Sequence, residues 1–164
     1  MLNKLFREIR YNYFSLIILN FQHKNIEYFD KKEIINCKSV PEPISPESVA
    51  VKAGPYLFLS GQLATDFKYG LEPQASIDAN FAYHKNQARL EAQYIINKVS
   101  SICEDSGTSI ENLVKRRVHY VDMTDIPVTE DLWVDKLGDK MPASTLFKTS
   151  GPLPILTGGD HHTK

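Results

Sequence analysis

Residues 49–62 read VAVKAGPYLFLSGQ and predict a β-hairpin. Both arms of this stretch are rich in the β-branched and aromatic residues that are enriched in strands. Gly54-Pro55 between the arms is a turn signal, and a short turn between two apolar runs is the pattern of a hairpin. Because such apolar strands need a core to cover them, the rest of the chain must supply one.

A helix and a further strand-helix-strand sequence follow the hairpin. Apolar residues recur at intervals of three and four between Gln87 and Glu104, which predicts a helix, and Gly107 provides its stop. The pattern then predicts a strand over residues 114–121, a shorter helix over residues 128–137 and a strand over residues 144–149. This order of elements predicts an α+β fold with a mixed β-sheet and two helices packed on one of its faces.

The first forty residues differ from the rest of the chain. The apolar run Phe14–Phe21 follows several basic residues, but it is too short to span a bilayer, and no small-residue cleavage site follows it. Three prolines, Pro41, Pro43 and Pro46, then favour an extended linker. We therefore place an N-terminal extension of uncertain order at residues 1–40 and a domain at residues 41–164. A leader, an element that docks on the domain and a disordered tail all remain open for the extension.

Length, composition and charge restrict the class of protein. The chain has 164 residues, 42% of them hydrophobic, and its net charge is -1, which is typical of one ordinary globular domain. A balanced charge argues against binding nucleic acid mainly by neutralising phosphates. The two cysteines, Cys37 and Cys103, belong to no CxxC pair, so the sequence predicts a reducing, cytoplasmic location without structural zinc or another bound metal. We expect neither a nucleic-acid partner nor a membrane partner.

Three short strings occur in the order and spacing of a known family. They are the hairpin arm that ends in Ser60-Gly61-Gln62, the segment from Ile110 to Met123, and residues 141–145, which read MPAST. Over residues 49–154 the chain resembles the Rid family of reactive-intermediate deaminases, which act on imines. The resemblance implies a chorismate-mutase-like α+β fold, assembled as a homotrimer with ligand clefts between subunits.

The resemblance also implies a chemistry. Family members with the full motif are hydrolases that convert enamines and imines such as 2-aminoacrylate into a keto acid and ammonia, without metal or organic cofactor. By this resemblance, Ser60, Gly61 and Gln62 line the substrate cleft, and Tyr56 stacks on the ligand. The alternatives stay open that Ser-Gly-Gln is an ordinary strand exit and that Tyr56 is a core residue.

One catalytic position departs from the family pattern. An arginine that holds the substrate carboxylate follows Pro-Ala or Pro-Pro in the family, and the matching residue here is Ser144. A serine hydroxyl is neutral and offers no planar fork for a carboxylate. The resemblance therefore predicts an enamine/imine deaminase that is weak or inactive. Arg116 or Arg117 on the neighbouring strand is an alternative source of the guanidinium.

A second departure lies at the end of the chain. In the family a closing strand follows the turn that matches Gly151–Pro154, and here that strand is expected to be missing from a truncated or divergent member. Since an unpaired sheet edge is an aggregation hazard, Phe14–Phe21 is a candidate to dock on the sheet in its place. The functional alternative to a deaminase is a non-catalytic homologue that binds a small metabolite or a partner protein. Ribonuclease activity, which some family names carry, fits the balanced charge least well.

Overall fold

A computed structural model of the chain describes residues 13–19, 32–43, 45–66, 70, 72–75 and 86–150, with the backbone alone for residues 13–19. The described elements are the strands β1 (Tyr13–Leu19), β2 (Lys32–Ile35), β3 (Ala50–Ala53), β4 (Tyr56–Gln62), β5 (Leu113–Tyr120) and β6 (Ala143–Lys148), and the helices α1 (Gln87–Asp105) and α2 (Ile126–Leu137). The strands form one sheet in the order β2-β3-β4-β1-β5-β6. The β5–β6 pair is parallel and the other pairs are antiparallel, so the sheet is mixed as predicted.

The predicted hairpin is confirmed and forms β3 and β4. Ala53 lies opposite Tyr56 across a two-residue turn, in which Gly54 has a φ of 57°. A positive φ costs glycine little because it has no Cβ, so the turn signal in the sequence has a direct backbone cause. Leu57 and Leu59 on β4 point into the core, while Tyr56 and Phe58 between them are partly exposed.

The two predicted helices are also confirmed, within one or two residues at each end. The side chain of Asn86 caps α1 by accepting a hydrogen bond from the Arg89 backbone N–H, and Gly107, at a φ of 76°, follows its end. Both helices pack on the same face of the sheet and contact each other. The core between helices and sheet includes the fully buried side chains of Ile95, Val99, Val118, Tyr120 and Trp133.

Strand β1 occupies a position inside the sheet. It is hydrogen-bonded to β4 on one side and to β5 on the other, with Ile17 opposite both Phe58 and Lys115. The hypothesis that the apolar segment near the N-terminus docks on the sheet is thus confirmed for Tyr13–Leu19. The expected gap at the closing strand falls on residues 151–164, which lie outside the described residues.

Strand β2 was not predicted from the sequence. It pairs with β3 at the edge of the sheet, where Ile34 lies opposite Val51. The predicted boundary near residue 40 falls between β2 and β3, and both strands on its N-terminal side belong to the same sheet as the strands beyond it.

Candidate functional site

The four candidate binding residues of β4 are distributed along the whole strand. Tyr56 at its start is 37% exposed, and its ring centroid lies 6.1 Å from that of Phe58. Ser60 donates its hydroxyl to the Ser48 carbonyl at 2.6 Å, and the Gln62 side chain donates to the Ser60 carbonyl at 2.8 Å. Gln62 lies six positions after Tyr56 along the strand, roughly 20 Å away, so one small ligand cannot touch both within a single chain.

Ser144 lies near the start of β6, beside Arg116 of β5. Its hydroxyl accepts a hydrogen bond of 2.7 Å from the Arg116 Nε and donates one of 3.1 Å to the Pro142 carbonyl. Since the parallel register sets Ser144 opposite Arg116, the two side chains lie on the same face of the sheet. The position that carries an arginine in the family is thus in direct contact with an arginine of the adjacent strand.

The Arg116 side chain contacts Glu130 and Trp133 in addition to Ser144. Its side chain is 1% exposed and forms an ion pair with Glu130 of α2, whose side chain is 24% exposed. The guanidinium carbon lies 4.8 Å from the centre of the Trp133 ring, within the range of a cation–π contact. Glu130 also accepts a hydrogen bond of 3.2 Å from the Tyr120 hydroxyl. The positive charge of Arg116 is therefore neutralised inside the protein.

The Tyr120 hydroxyl completes this buried network. It shares a hydrogen bond of 2.7 Å with the Thr129 hydroxyl. Burial raises the pKa of Tyr120 to about 12, and the nearby Glu130 carboxylate adds to the increase. Tyr120 therefore stays protonated throughout the physiological range and serves as a hydrogen-bond donor to Glu130.

The sequence-predicted residues do not meet within one chain. Ser144 of β6 lies opposite Arg116 of β5, and Arg116 lies opposite Leu16 of β1. Leu16 in turn lies opposite Leu59 of β4, the residue before Ser60. Strands β1 and β5 thus separate Ser60 from Ser144 by three strand spacings, roughly 14 Å. Ser144 shares its face with the buried Arg116, whereas Ser60 alternates with the buried Leu59 and lies on the other face.

Sequence reasoning singled out Arg116 only as an alternative and did not identify Glu130. Arg116 alternates with Val118 and Tyr120 on the apolar side of β5, and a basic residue in such a series is a signal of a buried pair. Its acidic partner comes from a different element, so periodicity within β5 could not identify it. Within the described ranges, no three metal-ligating side chains lie close enough to hold an ion. The described helices also include none with the length and apolar character that a membrane crossing requires.

Comparison with known proteins gives RutC family proteins and deaminases among the relatives of the chain. The chain is 30% identical over 119 residues to a RutC family protein of Pyrococcus horikoshii, a match that covers 73% of this chain and 86% of that protein. It is 27% identical over 112 residues to a 2-iminobutanoate/2-iminopropanoate deaminase of Dermatophagoides farinae, with coverage of 68% and 79%. A scan against family models gave no match.

Rid proteins are also among the solved structures with a similar fold. The crystal structure of RidA from a Psychrobacter species superposes with a TM-score of 0.61 at 25% identity, covering 75% of this chain and 89% of that one. The crystal structure of yeast Mmf1 superposes with a TM-score of 0.61 at 20% identity, covering 76% of this chain and 90% of that one. The predicted fold class is thereby confirmed.

Proposed function

This chain belongs to the RutC family of Rid proteins, and we propose that it is an enamine/imine deaminase of low turnover acting on 2-aminoacrylate-type intermediates. In this reaction the enamine tautomerises to an imine, water adds to the imine carbon, and the carbinolamine releases ammonia to leave a keto acid. The proposal is supported by the deaminase named among its relatives. No metal or organic cofactor takes part.

The observation that supports a low turnover is the surroundings of Ser144, whose hydroxyl contacts the buried and paired Arg116. A neutral hydroxyl contributes about 1 kcal/mol as a hydrogen bond, against roughly 1.5–3 kcal/mol for one that involves a charged group. Arg116 does not compensate, because its guanidinium is 1% exposed and already paired with Glu130. We infer that a substrate carboxylate binds weakly and without the fixed orientation that a bidentate arginine imposes.

We further propose that the cleft forms between copies of the chain in a homotrimer. Ser60 and Ser144 lie three strands apart on opposite faces of the sheet, so a cleft that uses both needs a second subunit. The side of the sheet away from the helices carries partly exposed apolar residues, including Phe58 at 41% and Ile34 at 54%. Such a face supports contact with another copy.

A non-catalytic Rid protein that binds a small metabolite is the second candidate. The Arg116–Glu130 pair favours it, because the guanidinium that contacts Ser144 is already engaged by Glu130 and so gives a carboxylate substrate little transition-state stabilisation. The two candidates differ in turnover and share the cleft.

The test uses the full chain and 2-aminoacrylate generated in the assay by an enzymatic β-elimination. Keto-acid release above the spontaneous rate is compared for the wild type, Ser144→Arg and Ser144→Lys. We expect a low wild-type rate and an increase of about tenfold in Ser144→Arg. A charged hydrogen bond that stabilises the transition state by about 1.4 kcal/mol more than a neutral one raises the rate tenfold. Lysine, which supplies charge without the planar fork, should give a smaller increase.

Each outcome separates the candidates. A wild-type rate equal to that of Ser144→Arg would overturn the argument from Ser144. A rate at background for all three variants, with ligand binding retained in calorimetry, would favour the non-catalytic protein.

A further inference from the structure

The side of the sheet away from the helices carries two basic residues of β5. Arg116 is buried against α2, and because side chains alternate along a strand, its neighbours Lys115 and Arg117 lie on the other face. Arg117 is exposed and Lys115 is partly exposed. The parallel register of β5 with β6 places Thr145 opposite Arg117. These three residues therefore share a small area of the outer face, on the opposite side of the sheet from Ser144.

The three side chains offer hydrogen-bond donors to a ligand. Lys115 donates from Nζ to the Thr145 hydroxyl oxygen at 3.0 Å, which leaves the hydroxyl proton to be donated elsewhere. Among the residues that the structure describes, the ion pairs include neither Lys115 nor Arg117. Adjacent strands are roughly 4.8 Å apart, so the ammonium, the hydroxyl and the guanidinium are carried by neighbouring positions of a rigid strand pair.

An aromatic surface borders this area. His119 and Phe147 are the next outward pair along β5 and β6, and their rings stack with centroids 5.1 Å apart. Phe147 is 42% exposed. Burial, and after it the positive charge of Arg117, lowers the pKa of His119, so the charge of Arg117 is felt at this ring. The area thus combines positive charge with an exposed apolar edge.

We propose that Lys115, Thr145 and Arg117 bind the phosphate group of a small molecule whose apolar body packs on Phe147. A phosphate monoester carries nearly two negative charges at pH 7.5 and presents three acceptor oxygens, which matches two cations and a hydroxyl. Arginine pairs with two oxygens of a phosphate in parallel, whereas lysine acts as a point charge. A carboxylate has one charge and two oxygens and should bind more weakly. The site is independent of the proposed deaminase activity, because Ser144 lies on the other face.

The experiment measures binding to the full chain by calorimetry at pH 7.5 and low ionic strength. The probes are phenyl phosphate, inorganic phosphate, benzoate and phenol. We expect phenyl phosphate to bind most tightly, inorganic phosphate and benzoate more weakly, and phenol not at all. Added salt should weaken the binding of phenyl phosphate. In an NMR titration the midpoint of His119 should rise when phenyl phosphate is present, because the bound anion offsets the charge of Arg117.

Charge-removing variants make the result specific. Arg117→Gln and Lys115→Gln should each raise the Kd of phenyl phosphate at least about tenfold, since each removes a hydrogen bond to a charged group. Lys136→Gln is the matched control, because it makes the same charge change at an exposed position of α2 and should alter the Kd less than about twofold. Far-UV circular dichroism checks that all three variants remain folded.

Three results would overturn the proposal. The first is that the wild type does not bind phenyl phosphate at millimolar concentration. The second is that Lys136→Gln weakens binding as much as Arg117→Gln does, which would indicate attraction to the general charge of the protein. The third is that Arg117→Gln lowers the mass of the protein in gel filtration together with its binding, which would assign these residues to a subunit contact.

Discussion

Arg116 carries a full positive charge on a side chain that is 1% exposed, and three neighbours compensate for the lost hydration. Glu130 supplies the opposite charge, Trp133 the face of its ring, and Ser144 a hydroxyl acceptor. Removing one member of a buried ion pair leaves the other uncompensated, which costs about 3–5 kcal/mol. Because Glu130 is partly exposed, we expect Arg116→Met to lower the free energy of unfolding by about 3 kcal/mol, measured by urea denaturation.

A second pair of variants tests the origin of that loss. If it comes from the charge left on Glu130, the double variant Arg116→Met with Glu130→Gln should recover part of the stability. The surface ion pair of Lys140 with Glu111 is the matched control, since both side chains are more than half exposed. We expect Glu111→Gln to leave the urea midpoint nearly unchanged. Equal losses for Arg116→Met and Glu111→Gln would contradict this account.

His119 gives the protein a predictable pH dependence. Its ring stacks on Phe147 with centroids 5.1 Å apart, and burial, with Arg117 nearby, lowers the pKa of His119 below its usual 6.5. The unfolded chain therefore binds a proton before the folded chain does, so stability falls as the pH drops below about 6.5. In His119→Gln we expect a smaller loss of stability between pH 7.5 and pH 5.5 than in the wild type. A histidine titration by NMR with a midpoint above 6.5 would contradict the sign.

Secondary-structure elements with a strong pattern within a few consecutive residues were predictable from the sequence. Strands that depend on pairing with segments far away in the chain were less predictable. The hairpin turn at Gly54, the apolar face of α1 and its stop at Gly107 are each encoded within a few residues. The apolar character of Phe14–Phe21 indicated a docking strand as one of several alternatives, but its neighbours β4 and β5 are far away in the chain. β2 has only four residues and no comparable apolar run, so nothing local identified it.

The same distinction applies to the candidate site. Ser144 was identifiable because it departs from a motif confined to a few residues. Its contact with Arg116 depends on the parallel β5–β6 register, and the contact of Arg116 with Glu130 depends on where α2 packs. Contacts between elements require the three-dimensional arrangement, which periodicity does not provide.

The inner position of β1 leads to a prediction about strand contributions. Strand β1 is paired on both sides, with one register irregularity in each pairing, so most of its backbone N–H groups meet a neighbour and proline there removes a ladder bond. Ile17 lies opposite Phe58 and Lys115, and we expect Ile17→Pro to cause a large fall in the melting temperature and in soluble yield. In the edge strand β2, one of two adjacent N–H groups points away from the sheet. At least one of Glu33→Pro and Ile34→Pro should therefore be mild, and an Ile17→Pro protein as stable as that variant would contradict the inner position of β1.

For the molecule as a whole, the side of the sheet away from the helices carries apolar side chains that a single chain leaves partly exposed. Ile34, Val51 and Phe58 lie opposite one another across β2, β3 and β4, and Tyr56 packs beside Phe58. Their partial exposure, 54% for Ile34 and 41% for Phe58, leaves an apolar row on one face. Rows of this kind are typical of subunit interfaces, and symmetric assembly buries them in every copy at once.

The homotrimer that the family resemblance implies predicts a mass in solution three times the 18.7 kDa of the chain, measured by light scattering after gel filtration. Phe58→Lys places a charge in the apolar row, and burying it unpaired in an interface is costly, so the trimer should dissociate at micromolar concentration. Val134→Lys is the matched control, because Val134 is also apolar and 53% exposed but lies on α2. Far-UV circular dichroism checks that both variants remain folded. A folded wild-type monomer would reject the trimer, and equal dissociation of both variants would show that the interface lies elsewhere.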